Sequence, residues 1–107
     1  MRRTFELSLP HPGQIIMSVR ILIAEDSAIF AAVLQETLHA EPDLEVVAIA
    51  RDGMEAVDLC ARLKPDIVLM DIQMPRLDGL TATEHIMGRS PTPILVITSD
   101  PIRGGVD

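Results

Sequence analysis

A chain of 107 residues holds one domain at most. Its hydrophobic share of 48% supports a real core, but with aromatics at 2% that core must be built from Ile, Leu, Val, Met and Ala. Acidic residues outnumber basic ones 16 to 9, and the resulting charge of −7 excludes a partner recognised through its phosphate backbone, which needs a clustered basic face.

Residues 1–17 read as an extension outside the domain, disordered or spurious. Arg2-Arg3 looks like the start of a signal peptide, but Glu6, Pro10, His11 and Pro12 interrupt any apolar core such a peptide needs. No apolar run approaches the ~18 residues of a membrane span. Cys60 stands alone, which excludes a disulfide framework or a thiolate metal cluster and fits a reducing cytoplasm. Its place in an apolar helical pattern marks it as packing.

From Val19 onward the pattern switches between periods of 2 and 3.6 residues. Val19 to Ala24 predicts a continuous apolar strand, interrupted by Arg20. Ser27 is a candidate N-cap for a helix whose periodic positions are Phe30, Val33, Leu34, Thr37 and Leu38. Pro42-Asp43 marks a turn, and Leu44 to Ala50 a second strand. Asp52-Gly53 reads as the next turn. Ala56, Val57, Cys60 and Leu63 then form one helical face, ended by Pro65. Asp66 to Met70 is the third strand. Asp78 is the expected N-cap of a third, shorter helix carrying Leu80, Thr83, Ile86 and Met87. Pro91-Thr92-Pro93 leads into a fourth strand, Ile94 to Ile97, with Thr98 and Ser99 at its exit.

This alternation predicts an α/β fold, a doubly wound parallel sheet covered on both faces. Right-handed crossovers place all strand C-termini on one edge, the edge where such sheets bind ligands. Glu25, Asp26, Asp71, Thr98 and Ser99 all fall there. Three carboxylates converging on one rim repel each other at neutral pH unless a cation sits among them. Mg2+ takes oxygen ligands, one or two carboxylates and several waters. Asp26 and Asp71 are the expected direct ligands, with Glu25 bridging through water and the main-chain carbonyl of Gln73 as a further ligand. Asp71 is the candidate nucleophile, because a carboxylate can attack a phosphoryl group and hold it as an acyl phosphate. Thr98 offers a hydroxyl able to donate to a phosphoryl oxygen. His11, His39 and His85 are scattered and expected to be exposed.

Three stretches carry a family likeness. Ile21-Leu22-Ile23-Ala24-Glu25-Asp26-Ser27, Asp71-Ile72-Gln73-Met74-Pro75-Arg76-Leu77-Asp78-Gly79 and Ile97-Thr98-Ser99 resemble bacterial response-regulator receiver domains. The resemblance implies a flavodoxin-like sheet with strand order 2-1-3-4-5. It implies that Asp71 is the phosphoacceptor, Glu25 and Asp26 the acidic Mg2+ pair, the Gln73 carbonyl a main-chain ligand and Thr98 the switch hydroxyl. Pro75 and Gly79 would shape the loop after the acceptor. Asp43-Leu44-Glu45-Val46-Val47 and Thr81-Ala82-Thr83-Glu84-His85-Ile86-Met87, followed by Pro91-Thr92-Pro93-Ile94, are similar to the receiver of the chemotaxis protein-glutamate methylesterase. That likeness implies a chemotaxis histidine kinase as donor and a C-terminal esterase effector held in check by the receiver, while composition, charge and hydropathy lead to the expectation of a cytoplasmic protein with neither nucleic-acid nor membrane partners.

The family also has a fifth strand bearing a lysine that contacts the phosphoryl group, and two more helices. Residues 18–107 are therefore expected to form an incomplete receiver of four strands and three helices, unstable, aggregating or swapping elements, and without methylesterase activity. The one lysine, Lys64, precedes the third strand; since such a strand spans ~17–20 Å, it lies at the wrong end of the sheet to replace the family lysine. Two other readings stand beside the phosphoacceptor. One is an interaction module that takes no phosphoryl group. The other is a metal-dependent phosphohydrolase of the haloacid-dehalogenase type, disfavoured because that class needs a general acid where Gln73 stands.

Overall fold

A computed structural model describes residues 18–98. Within them the chain runs β1 (Val19–Ala24), α1 (Ala28–His39), β2 (Leu44–Ala50), α2 (Gly53–Leu63), β3 (Ile67–Asp71), α3 (Gly79–Arg89) and β4 (Ile94–Ile97). The strands form one parallel sheet in the order β2-β1-β3-β4. This is the expected flavodoxin-like, doubly wound arrangement of four strands and three helices, and it matches the first four positions of the strand order that the resemblance implies. Residues 1–17 and Ser99 lie outside the described residues.

The central strands β1 and β3 are apolar on both faces because each face has its own cover, whereas Leu95 and Val96 of the outer strand β4 are exposed. Leu22, Ala24, Val68 and Met70 point to one side, where Ala56 and Cys60 of α2 and Ala82 and Ile86 of α3 close over them. Ile21, Ile23 and Leu69 point to the other, toward Leu34 and Leu38 of α1. Cys60 is fully buried, as its pattern predicts, with its sulfur 3.2 Å from the buried Thr92 hydroxyl. In β2 the register slips between Ile21 and Leu22, so that Val46 and Ala48 face consecutive residues of β1. The extra residue, Val47, reverses the strand's alternation. Leu44 and Val46 pack on the α1 side, whereas Ala48 and Ala50 pack on the α2 side.

Several local expectations shift. On α1, Val33 is 53% exposed and Thr37 is exposed, because the inward row is Ala31, Leu34 and Leu38. On α3, Leu80 and Met87 face outward while Ala82 and Ile86 are buried, and the helix has 11 residues, the same length as α2. The third strand starts at Ile67, one residue later than expected, because the Asp66 carboxylate accepts the Arg20 amide at 2.8 Å. It also ends one residue later, with Asp71 inside the strand and paired in register with Ile97. Arg20, the exception in an otherwise apolar strand, donates to the Leu63 and Lys64 carbonyls at 2.9 Å each. It thereby satisfies the C-terminal end of α2, where a cation also suits the helix dipole.

The chain steps from β1 outward to β2, then crosses back over β1 to β3 and onward to β4. The reversal falls between β1 and β3, which pair directly. A crevice opens at such a point beyond the strand C-termini.

Candidate functional site

Both acid-bearing segments flank that reversal. β1 ends at Ala24, and the next residue, Glu25, is anchored by its amide to the Ala50 carbonyl at 2.9 Å. The chain then turns into α1, with Ser27 as N-cap accepting the Phe30 amide at 3.1 Å. Across the crevice, Asp71 closes β3, and Asp78 caps α3 by accepting the Thr81 amide at 2.8 Å. The loop between them folds back tightly: Gly79 donates to the Ile72 carbonyl at 2.8 Å, and a Cβ on Gly79 would overlap the Asp71 carbonyl. Glycine is required there by space.

Glu25, Asp26 and Asp71 each bring a carboxylate oxygen within 4.8 Å of the others. Glu25 and Asp71 are buried, with 0% and 1% exposure, whereas Asp26 is exposed. The Ser27 amide donates to Glu25 Oε2 at 2.9 Å, and the Gln73 amide makes a long contact of 3.4 Å with Asp71 Oδ1. Glu25 Oε1 and Asp71 Oδ2 are buried without a hydrogen-bond partner. Burial pushes the Glu25 carboxyl up to about 7, the Ser27 amide opposes this, and the charges of Asp71 and Asp26 add to the rise, as does the hydrogen bond that a protonated Glu25 makes to Asp71; with both groups ionised, the two oxygens stay unpartnered. Two orphaned, buried carboxylate oxygens among three acids fit a hard divalent cation with oxygen ligands, and the exposed Asp26 side leaves room for its water.

The structure brings together the three acids that the sequence singles out. Gln73 is exposed and lines, with Asp26, Ile72, Met74, Pro75, Asp78 and Leu80, an open cleft of about 650 Å³ beside them. Thr98 lies on the same rim, exposed and one residue beyond Ile97, the register partner of Asp71. His39 and His85 are exposed on separate helices, and His11 lies outside the described residues. Lys64 ends α2 in a left-handed conformation, before β3 begins and so at the opposite edge of the sheet.

Asp52 is more than a turn residue. It caps α2, its Oδ1 accepting the Glu55 amide at 2.8 Å, while its Oδ2 receives Arg76 Nε at 2.9 Å and Nη2 at 2.8 Å. The Glu55 amide and the Arg76 guanidinium hold the Asp52 carboxyl below its usual range. The spacing Asp52-x-x-Glu55 before an apolar run is a capping signature that identifies this helix start from sequence. Nothing in the sequence pairs Asp52 with Arg76, 24 residues away.

The pattern of the response regulator receiver domain matches residues 21–102. Protein-glutamate methylesterase/protein-glutamine glutaminase 2 of Carboxydothermus hydrogenoformans is 48% identical over 88 residues, 82% of this chain and 25% of that protein. The chain spans about a quarter of the length of the curated relatives it matches. The response regulator domain of Thermotoga maritima CheB superposes with a TM-score of 0.75 at 41% identity, covering 77% of this chain and 61% of that one. The CheX–CheY–BeF3–Mg2+ complex of Borrelia burgdorferi gives a TM-score of 0.70 at 26% identity over 85% of this chain and 69% of its own. The acids at the switch point and the pattern around them thus have one explanation, for the chain belongs to the response regulator receiver domain family and is most like the receivers of chemotaxis protein-glutamate methylesterases.

Proposed function

We propose that this receiver accepts a phosphoryl group on Asp71 from the phosphohistidine of a chemotaxis histidine kinase. The observation that carries this reading is the pair of buried, unpartnered oxygens on Glu25 and Asp71 within a three-carboxylate cluster. In the transfer, an Asp71 oxygen bonds to phosphorus as the P–N bond breaks. The bonding pair returns to the imidazole, which takes up a proton, and Asp71 is left as a mixed anhydride. Asp26, Asp71, the Gln73 carbonyl and, through water, Glu25 would hold Mg2+. When bound, that ion neutralises charge between the attacking carboxylate and the phosphoryl oxygens. The presence of Mg2+ in the related Borrelia complex supports the choice of metal. Gly79 and the Asp78 cap shape the loop that follows Asp71, and Thr98 would donate to a phosphoryl oxygen.

A receiver is a regulatory module, and methyl-ester hydrolysis belongs to the full-length relatives. In a longer parent, phosphorylation of Asp71 would relieve a block on a C-terminal methylesterase that acts on chemoreceptor glutamates, in the cytoplasm. Among the described residues no helix is long and apolar enough to cross a membrane.

A second reading is an interaction module that takes no phosphoryl group. Incubation with acetyl phosphate and Mg2+, followed by intact mass, separates the readings. A phosphoryl adduct that is lost in Asp71→Asn is the expected result. No adduct in the wild-type chain supports the passive module, and steady phosphate release supports a hydrolase.

A further inference from the structure

The two acid-bearing loops meet at a third segment that carries none of the carboxylates in the cluster. This is the corner from Arg51 to Glu55, where β2 gives way to α2. On one side the Arg51 guanidinium donates to the Asp26 main-chain carbonyl at 3.3 Å, and Ala50 accepts the Glu25 amide at 2.9 Å. On the other side Asp52 Oδ2 receives two guanidinium nitrogens of Arg76, which belongs to the loop after Asp71. The corner itself is stiff. Asp52 Oδ1 caps the helix through the Glu55 amide, and Glu55 Oε1 accepts the Arg51 amide at 2.8 Å. Gly53 lies so close to the Leu77 carbonyl that a Cβ there would overlap it, so the acceptor loop also rests on the first turn of α2.

Arg76 reaches Asp52 from a backbone φ of 67°, a left-handed conformation that strains any residue with a Cβ. The surrounding contacts hold it there. The Arg76 side chain is 60% exposed, so the ion pair contributes little to stability as such. Its geometric effect is larger, because it links the acceptor loop to the same rigid corner that holds Glu25 and Asp26.

We infer that the β2–α2 corner is a brace setting the separation of the two carboxylate loops, with Arg76 and Asp52 as its positioning residues, and that it thereby tunes metal affinity. This rests on the proposed metal site. Metal ligands depend on the groups that orient them, and a ligand cluster split across two loops depends on whatever fixes those loops to each other.

Calorimetric titration of Mg2+ into the 107-residue chain, alongside thermal melts without metal, tests it. Arg76→Gly relieves the positive φ and removes the guanidinium. It is expected to melt within a few degrees of wild type yet bind Mg2+ about threefold to thirtyfold more weakly. Asp52→Asn keeps a competent N-cap and is expected to weaken binding in the same range. The double variant should bind about as weakly as the weaker single, since both cut one link. Wild-type Mg2+ affinity in Arg76→Gly and Asp52→Asn, or losses that multiply in the double variant, would overturn the brace while leaving the metal site intact. If Arg76→Gly melts far below wild type, the affinity of Asp52→Asn alone decides. No Mg2+ binding by the wild-type chain overturns the metal reading and the brace with it.

Discussion

Glu25 is the residue whose sequence position says least about its state. A carboxylate following a strand is commonly solvated, yet this one is fully buried beside Asp71, and its pKa rises from 4.5 to about 7. The folded chain therefore binds a proton more tightly than the unfolded chain does. The stability that this protonation contributes is complete below about pH 4.5 and is lost as pH rises through about 7. In the presence of a chelator, the melting temperature is expected to fall between pH 5 and pH 8, and Glu25→Gln should flatten that fall. Mg2+ should raise the melting temperature most at the alkaline end, where Glu25 is ionised. A metal-free melting temperature that climbs across this window would contradict the assignment. Asp52 and Asp78 act oppositely, with carboxyls lowered by the amides they cap, so their contributions are lost only as pH falls below about 4.

At the scale of elements, helix starts and strand cores were legible, and the joints between elements were not. Ser27 and Asp78 announce their helices through side chains that accept amides three residues on. The limits of β1, β2 and β4 follow from apolar runs bounded by turn residues. The slip at Val47 and the outward turn of Val33 and Leu80 depend on which neighbour covers which face, and no local pattern records that. The glycines make the same distinction testable. A Cβ at Gly79 would overlap the Asp71 carbonyl, whereas one at Gly88, near the end of α3, meets nothing within 4 Å. Gly79→Ala is expected to destabilise the chain by about 2–3 kcal/mol through overpacking. Gly88→Ala should stabilise it by about 0.5–1 kcal/mol through helix propensity. Chemical denaturation of both variants checks the pair, and equal effects would mean that the loop after Asp71 has slack.

Over the whole molecule the two faces of the sheet are unequal. Under α2 and α3, Val68, Met70, Cys60 and Ile86 are all fully buried. Among the described residues on the α1 side, Ile21, Ile23, Ala31 and Leu69 are buried, while Leu34, Leu38, Val46, Ile67 and Ile97 stay partly open. Ile86→Ala is expected to cost about 2–5 kcal/mol, and Leu34→Ala clearly less, because less apolar surface there is removed from water. Hydrogen exchange should show α1 opening before α2, α3 and β3. Slower exchange in α1 than in α3 would show that the α1 face is the better-packed half.

By itself the sequence determined the alternation of strand and helix, the edge on which the acids gather, and the family to which Asp71 and its neighbours belong. Those properties follow from local periodicity and from a parallel topology that sends every strand end to one rim. Only the tertiary structure decided that Glu25 and Asp71 are buried while Asp26 stays open, that two of their oxygens lack protein partners, and that Arg20 and Arg76 tie distant segments together. Burial and ion pairing are properties of which segments meet. Here the pairing of β1 with β3 brings together acids separated by more than forty residues in the chain.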